Sequence, residues 1–180
     1  LPDYVYRAFK RAKKTKNSES ISLIKNENIL LHFKEKEIKT QWYNPFFIFS
    51  IILLLTLVIT YRDQKRNKRS KWVDFSLFFV TGLVGLLICF LWFFTDHFTA
   101  PNNFHFLWAF APNICISFVL LKKKLPSWVS KYIKGYLLML SLTIVVSVIG
   151  IQQFSFAVLP VIATLFVRNF YLYKLLTSKK

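Results

Sequence analysis

Five apolar runs follow one another between Trp42 and Tyr173, each close to the ~20 residues that a hydrocarbon layer about 30 Å thick demands of a helix. They fall at about 44–61, 72–95, 104–121, 133–151 and 154–173, with only short polar connections between them. A chain patterned in this way satisfies its backbone in lipid as helices. The predicted fold class is therefore an all-α membrane protein: a five-transmembrane-helix bundle over 43–175, preceded by a small α/β tail over 1–42. A soluble core is excluded on composition, since 54% of the chain is hydrophobic, with 20 Phe and only 4 Gly. The third run, "FHFLWAFAPNICISFVLL", is short and carries Pro112 and Asn113 in its middle, which predicts a kinked helix or one buried against its neighbours.

The net charge of +17 raises nucleic acid as a partner, but the lysines and arginines sit in clusters between apolar runs and not on one face. No nucleic-acid partner is expected, and topology explains the clusters better. Arg62, Lys65, Arg66, Lys68, Arg69 and Lys71 separate runs one and two. Lys122, Lys123, Lys124, Lys131 and Lys134 separate runs three and four, and Lys174, Lys179 and Lys180 follow run five. The connections at 96–103 and 150–153 carry no Lys or Arg. Positive charge stays on the cytoplasmic side, so the N-terminus is predicted outside and the C-terminus in the cytoplasm of a multi-pass membrane protein, at the inner membrane if the cell is a Gram-negative bacterium. The basic stretch from Arg7 to Lys16 opposes this, but it lies more than 25 residues before the first run, where the rule has little force.

The polar tail reads as the end of a soluble domain, which would be periplasmic in such a cell. In "LPDYVYRAFKRAKK" the residues Leu1, Val5, Ala8, Phe9 and Ala12 share a helical face, and "ISLIKNENILLHF" predicts a β-hairpin around Asn26-Glu27-Asn28. Leu1 is not an initiator and the only methionine is Met139, so further chain is expected upstream. No signal peptide is read at the start.

The chemistry concentrates in "WFFTDHFTAPNNFHFLWAFAPN", residues 92–113. Asp96 beside His97 offers a carboxylate that can raise the imidazole pKa, fix its tautomer and form a general base, although neighbours on a helix point about 100° apart. The alternative is a helix end in water. Asn102 and Asn103 could bind a lipid headgroup or carbonyl, and His105 and Trp108, spaced i, i+3, could share one face. They could equally be turn and cap residues before the third run. Deeper in the run, Asn113 needs partners in lipid and reads as glue between helices. Asp74 and Arg168 lie near the inner ends of runs two and five and are expected to pair as a structural ion pair. Cys89 and Cys115 have no CxxC and are expected as packing residues. There is no GxSxG, no HExxH and no pair of mid-membrane carboxylates, and His97 with His105 is too weak a pattern for a metal or haem site. No metal and no cofactor are expected.

The order "WFFTDH", "NN", "LWAF" and Pro112, following a tail that begins "LPDYVYRAF", resembles the C-terminal five-helix membrane domain of the Lnb-like envelope proteins of Bacteroidota, over nearly the whole chain. The resemblance implies lipoprotein N-acylation, in which an acyl chain moves from a phospholipid to the α-amine of a diacylglyceryl-cysteine. It implies that the principal nucleophile, a cysteine assisted by histidine, belongs to the upstream periplasmic domain and that this chain is part of an acyltransferase without its main catalytic domain. Asp96, His97, Asn102 and Asn103 match motif positions, whereas His105 stands where the family pattern calls for Asn. Membrane lipids, a lipoprotein substrate and the upstream domain are then the partners. A domain of this kind would hold both lipid-anchored substrates at the outer leaflet, with Asp96 and His97 as catalytic candidates and Asn102, Asn103, His105 and Trp108 as substrate-binding ones. The rival readings are a passive anchor for a periplasmic enzyme and, less favoured for want of mid-membrane charge, a small transporter.

Overall fold

The computed structural model describes residues 2–16, 19–28, 43–95 and 103–178. Residues 1–39 and 40–180 are separate compact units. In the first, α1 (Pro2–Arg11) precedes an antiparallel hairpin of β1 (Lys13–Lys16) and β2 (Glu19–Ser22), with Lys14 opposite Ile21 and Thr15 opposite Ser20. The hairpin thus lies earlier in the chain than the sequence pattern predicts. Residues 23–28 form no strand because Glu27 turns to α1, where Tyr6 donates to its carboxylate and Lys10 pairs with it at 3.2 Å. The second predicted strand, after Asn28, lies outside the described residues.

Among the described residues, four helices of the second unit are long and apolar enough to cross a membrane: α2 (Pro45–Arg66), α3 (Lys71–Phe93), α5 (Trp128–Val148) and α6 (Val158–Thr177). Asn44 starts α2 by accepting the Phe46 amide at 3.0 Å, with Pro45 at the first helical position, where its missing N–H costs nothing. Asn67 ends it in the left-handed region at φ 48°. The apolar run alone would stop near residue 61, yet α2 continues to Arg66 because Asp63 is held by partners inside the bundle. Gly150, at φ 80°, closes α5 and turns the chain into the short connection before α6.

The third predicted span is not a continuous helix. Residues Phe104–Leu107 form a 3-10 turn, 108–112 an irregular turn, and Asn113–Leu120 a helix, α4, only 8 residues long. At 1.5 Å per residue α4 is about 12 Å long, well short of a membrane. The break falls where the chain meets α3 backbone to backbone. A Cβ on Gly85 would lie 2.1 Å from the Ala109 carbonyl oxygen, and one on Gly82 would lie 2.3 Å from the Ile114 nitrogen. Only glycine admits this approach, and with it α3 covers irregular backbone that lipid could not satisfy.

The bundle is organised with polar side chains inward. Thr60, Asp74, Thr81, Asn113, Ser117, Thr143, Thr164 and Arg168 are buried, whereas Leu54, Leu55, Leu86, Leu87 and Leu138 are exposed for a lipid surround. Phe78, Leu120, Ile133, Tyr136, Leu140, Leu165 and Leu172 form the apolar core. α2 packs on α6, α6 on α5, and α3 on α4.

Candidate functional site

Three of the six predicted site residues are brought together at the end of the bundle that carries no Lys or Arg in its connections. The remaining three, Asp96, His97 and Asn102, lie outside the described residues. Asn103 caps the 3-10 turn, its Oδ1 accepting from the His105 amide at 3.1 Å and from Gln152 Nε2 at 3.3 Å. Gln152 in turn accepts the Phe104 amide at 2.7 Å, so its side chain ties the α5–α6 connection to the start of the turn. Trp108 Nε1 donates to His105 Nδ1 at 2.9 Å, and Tyr136 on α5 donates to the Trp108 carbonyl at 2.5 Å. Phe154 closes the far side, edge to face with His105 at 4.8 Å.

This arrangement has a chemical consequence. An Nδ1 that accepts the indole proton leaves the neutral imidazole with its own proton on Nε2, so His105 presents a donor and not a base.

A second polar cluster lies mid-bundle. Asn113 Nδ2 donates to Thr81 Oγ1 at 3.2 Å, and Tyr132 donates to Asn113 Oδ1 at 2.6 Å, joining α3, α4 and α5. Asn113 is fully buried and works as interhelical glue.

At the basic end the expected Asp74–Arg168 pair is present, Arg168 Nε to Asp74 Oδ1 at 2.6 Å, as part of a larger network. Arg168 also reaches Asp63 at 2.8 Å and Thr60 at 3.2 Å. Arg69 pairs with the other oxygen of Asp74 at 3.1 Å and donates to the Leu120 and Lys122 carbonyls at 2.7 Å each. Ser70 binds Asp63 through its amide at 2.7 Å and its hydroxyl at 2.9 Å. Two acids and two arginines thus neutralise one another and clamp α2, α3, α6 and the end of α4. Each of the four carboxylate oxygens has at least one donor, which makes this a structural lock and not a poised catalytic group.

Sequence reasoning missed Gln152, Asp63, Arg69 and Tyr132. The signal for Asp63 was available, because it is one of only two acids in the chain between Glu37 and Asp96. Gln152 looked like a plain turn residue, and nothing local marks it as the brace across to Phe104. Among the described residues no three of His, Cys, Asp and Glu converge on a point that could hold a metal ion.

No curated protein and no solved structure matches the chain. The sequence model of the Lnb transmembrane domain does match, over residues 36–180, a stretch that takes in all four long helices, the broken third segment and both polar ends. The chain is a multi-pass membrane protein that belongs to the Lnb transmembrane-domain family.

Proposed function

We propose that this chain is the membrane domain of a lipoprotein N-acyltransferase, which docks a phospholipid acyl donor and a diacylglyceryl-cysteine acceptor at the outer leaflet for a periplasmic catalytic domain. The family match over 36–180 carries this reading. In it, the end holding Asn103, His105 and Trp108 faces the periplasm, the basic end faces the cytoplasm of the inner membrane, and the broken segment 104–120 is a fifth crossing that runs beside α3.

The geometry supports a docking role in two ways. The 3-10 turn is braced by Gln152, Tyr136 and Trp108 before any substrate arrives, so a headgroup site built on it would be preorganised. In addition, a cleft of about 250 Å³ opens between α2, α3 and α6, lined by Phe49, Ile52, Leu77, Val80, Val161 and Leu165 among others. Its lining is almost wholly apolar and suits a stretch of acyl chain. In this reading His105 Nε2 supplies an N–H to a lipid phosphate or carbonyl, and Asp96, His97 and Asn102, outside the described residues, are the further residues that the family motif nominates.

The test replaces residues 43–178 of the full-length protein with an unrelated bundle of the same topology, at matched abundance and insertion. Loss of the third acyl chain from lipoprotein N-termini, read by mass spectrometry, is the expected result. Retained triacylation would reduce the domain to a passive anchor.

A further inference from the structure

We infer that the basic end of the bundle carries a second lipid site, a basin for the phosphodiester headgroup of an anionic phospholipid in that leaflet. A basin of about 750 Å³ lies between the α2–α3 connection and the α4–α5 connection. Lys68 and Lys71 line it from one side, Lys123 and Lys124 from the other. It is separate from the periplasmic docking site proposed above and does not depend on it.

Charge bookkeeping makes the basin unusual. The only acids between residues 43 and 95 are Asp63 and Asp74, and after Asp96 the chain has none. Asp63 and Asp74 are both consumed by Arg168 and Arg69. The four lysines therefore have no carboxylate left in the described bundle to neutralise them, and any anion that meets them comes from outside it.

Arg69 explains why the lysines face one another. Its guanidinium holds the Leu120 and Lys122 carbonyls while bound to Asp74, so the loop bearing Lys68 is fastened to the loop bearing Lys123. Arg69 is satisfied within the protein and acts as a brace, which leaves the lysines to meet the ligand. Tyr171 adds a second fastening, donating to the Lys68 carbonyl at 2.5 Å.

The rest of the lining selects a lipid over a free anion. Leu125, Leu175 and Leu176 sit beside the lysines in the same basin. A phosphate with water around it gains nothing from that apolar wall, whereas a phosphodiester with glycerol and the first acyl methylenes attached buries them there.

The experiment uses the delipidated full-length protein, with phosphatidylglycerol and phosphatidylcholine of identical acyl chains titrated by native mass spectrometry. Each lysine near the headgroup should be worth about fivefold in affinity. Changing Lys68, Lys71, Lys123 and Lys124 together to Gln should lower phosphatidylglycerol affinity by at least about tenfold while leaving phosphatidylcholine unaffected. The control changes Arg62, Lys65, Arg66 and Lys174 to Gln, the same loss of charge at the same end but outside the basin, and should stay within about twofold of wild type. Equal losses in both variants would mean a diffuse basic face and overturn the site. So would displacement of the lipid by millimolar inorganic phosphate, which would make it a free-anion site. The single variants Lys123→Gln and Lys124→Gln, both exposed, give the same reading if the fourfold variant does not fold.

Discussion

Arg168→Leu should unlock the basic end of the bundle and lower its stability by about 3–5 kcal/mol, the cost of removing one partner from a buried ion network. Arg168 and Asp74 are fully buried, and Asp63 is 7% exposed. Without the guanidinium, among the described residues the Asp63 carboxylate keeps Ser70 and the Asp74 carboxylate keeps Arg69. Thermal unfolding of the purified full-length protein, or protease cleavage in the 62–71 connection, measures the loss. The sharper test adds Asp63→Asn and Asp74→Asn to Arg168→Leu. If uncompensated charge is the cause, the triple variant recovers more than half of the lost stability. A triple variant as unstable as the single would mean that the shape of Arg168 matters, and not its charge.

Gly85→Ala should be nearly as damaging, although it adds one methyl group. The new Cβ would stand 2.1 Å from the Ala109 carbonyl oxygen and 2.5 Å from the Ala111 nitrogen. Both are backbone atoms in a turn already fixed by Tyr136 on the Trp108 carbonyl, so no side chain can swing away. The contact must open, and α3 must part from the segment that shields the irregular backbone at 108–112 from lipid. A loss of about 3 kcal/mol or more is expected, at the upper end of overpacking costs. Gly135→Ala is the control: nothing lies within 4 Å of its added Cβ, and the same methyl there should stabilise α5 by up to about 1 kcal/mol through helix propensity. Unfolding temperatures of the two variants should therefore move in opposite directions. Similar small shifts in both would show that α3 and the turn can separate freely.

The sequence disclosed the helical membrane class because lipid leaves so few options that a run of apolar residues is nearly sufficient evidence. It also disclosed the Asp74–Arg168 pair and the role of Asn113, since a polar side chain in an apolar run must find another. What it concealed was breakage. "FHFLWAFAPNICISFVLL" has the hydropathy of a span, and Pro112 predicts a kink, but the turn at 108–112 is set by Gly82 and Gly85 on a different helix. Pairings across the bundle were hidden for the same reason, as with Gln152 and Phe104, which lie 48 residues apart. Helix ends were misjudged at Asp63 because hydropathy ends a helix where charge begins, while the structure ends it where partners run out. The hairpin was misplaced because Lys13–Lys16 lacks a strand's usual apolar alternation.

The ion lock also imposes an order on biogenesis. α2 and α3 leave the ribosome first, carrying Asp63 and Asp74, while Arg168 arrives on α6, the last of the long helices. Arg69 can attend Asp74 early, but among the described residues the cation paired with Asp63 is Arg168, which waits for α6. A nascent chain halted after α5 thus leaves a half-satisfied carboxylate at the edge of the bilayer, a state that a membrane penalises. With α6 in place, the acids of α2 and α3 gain the cation that balances them.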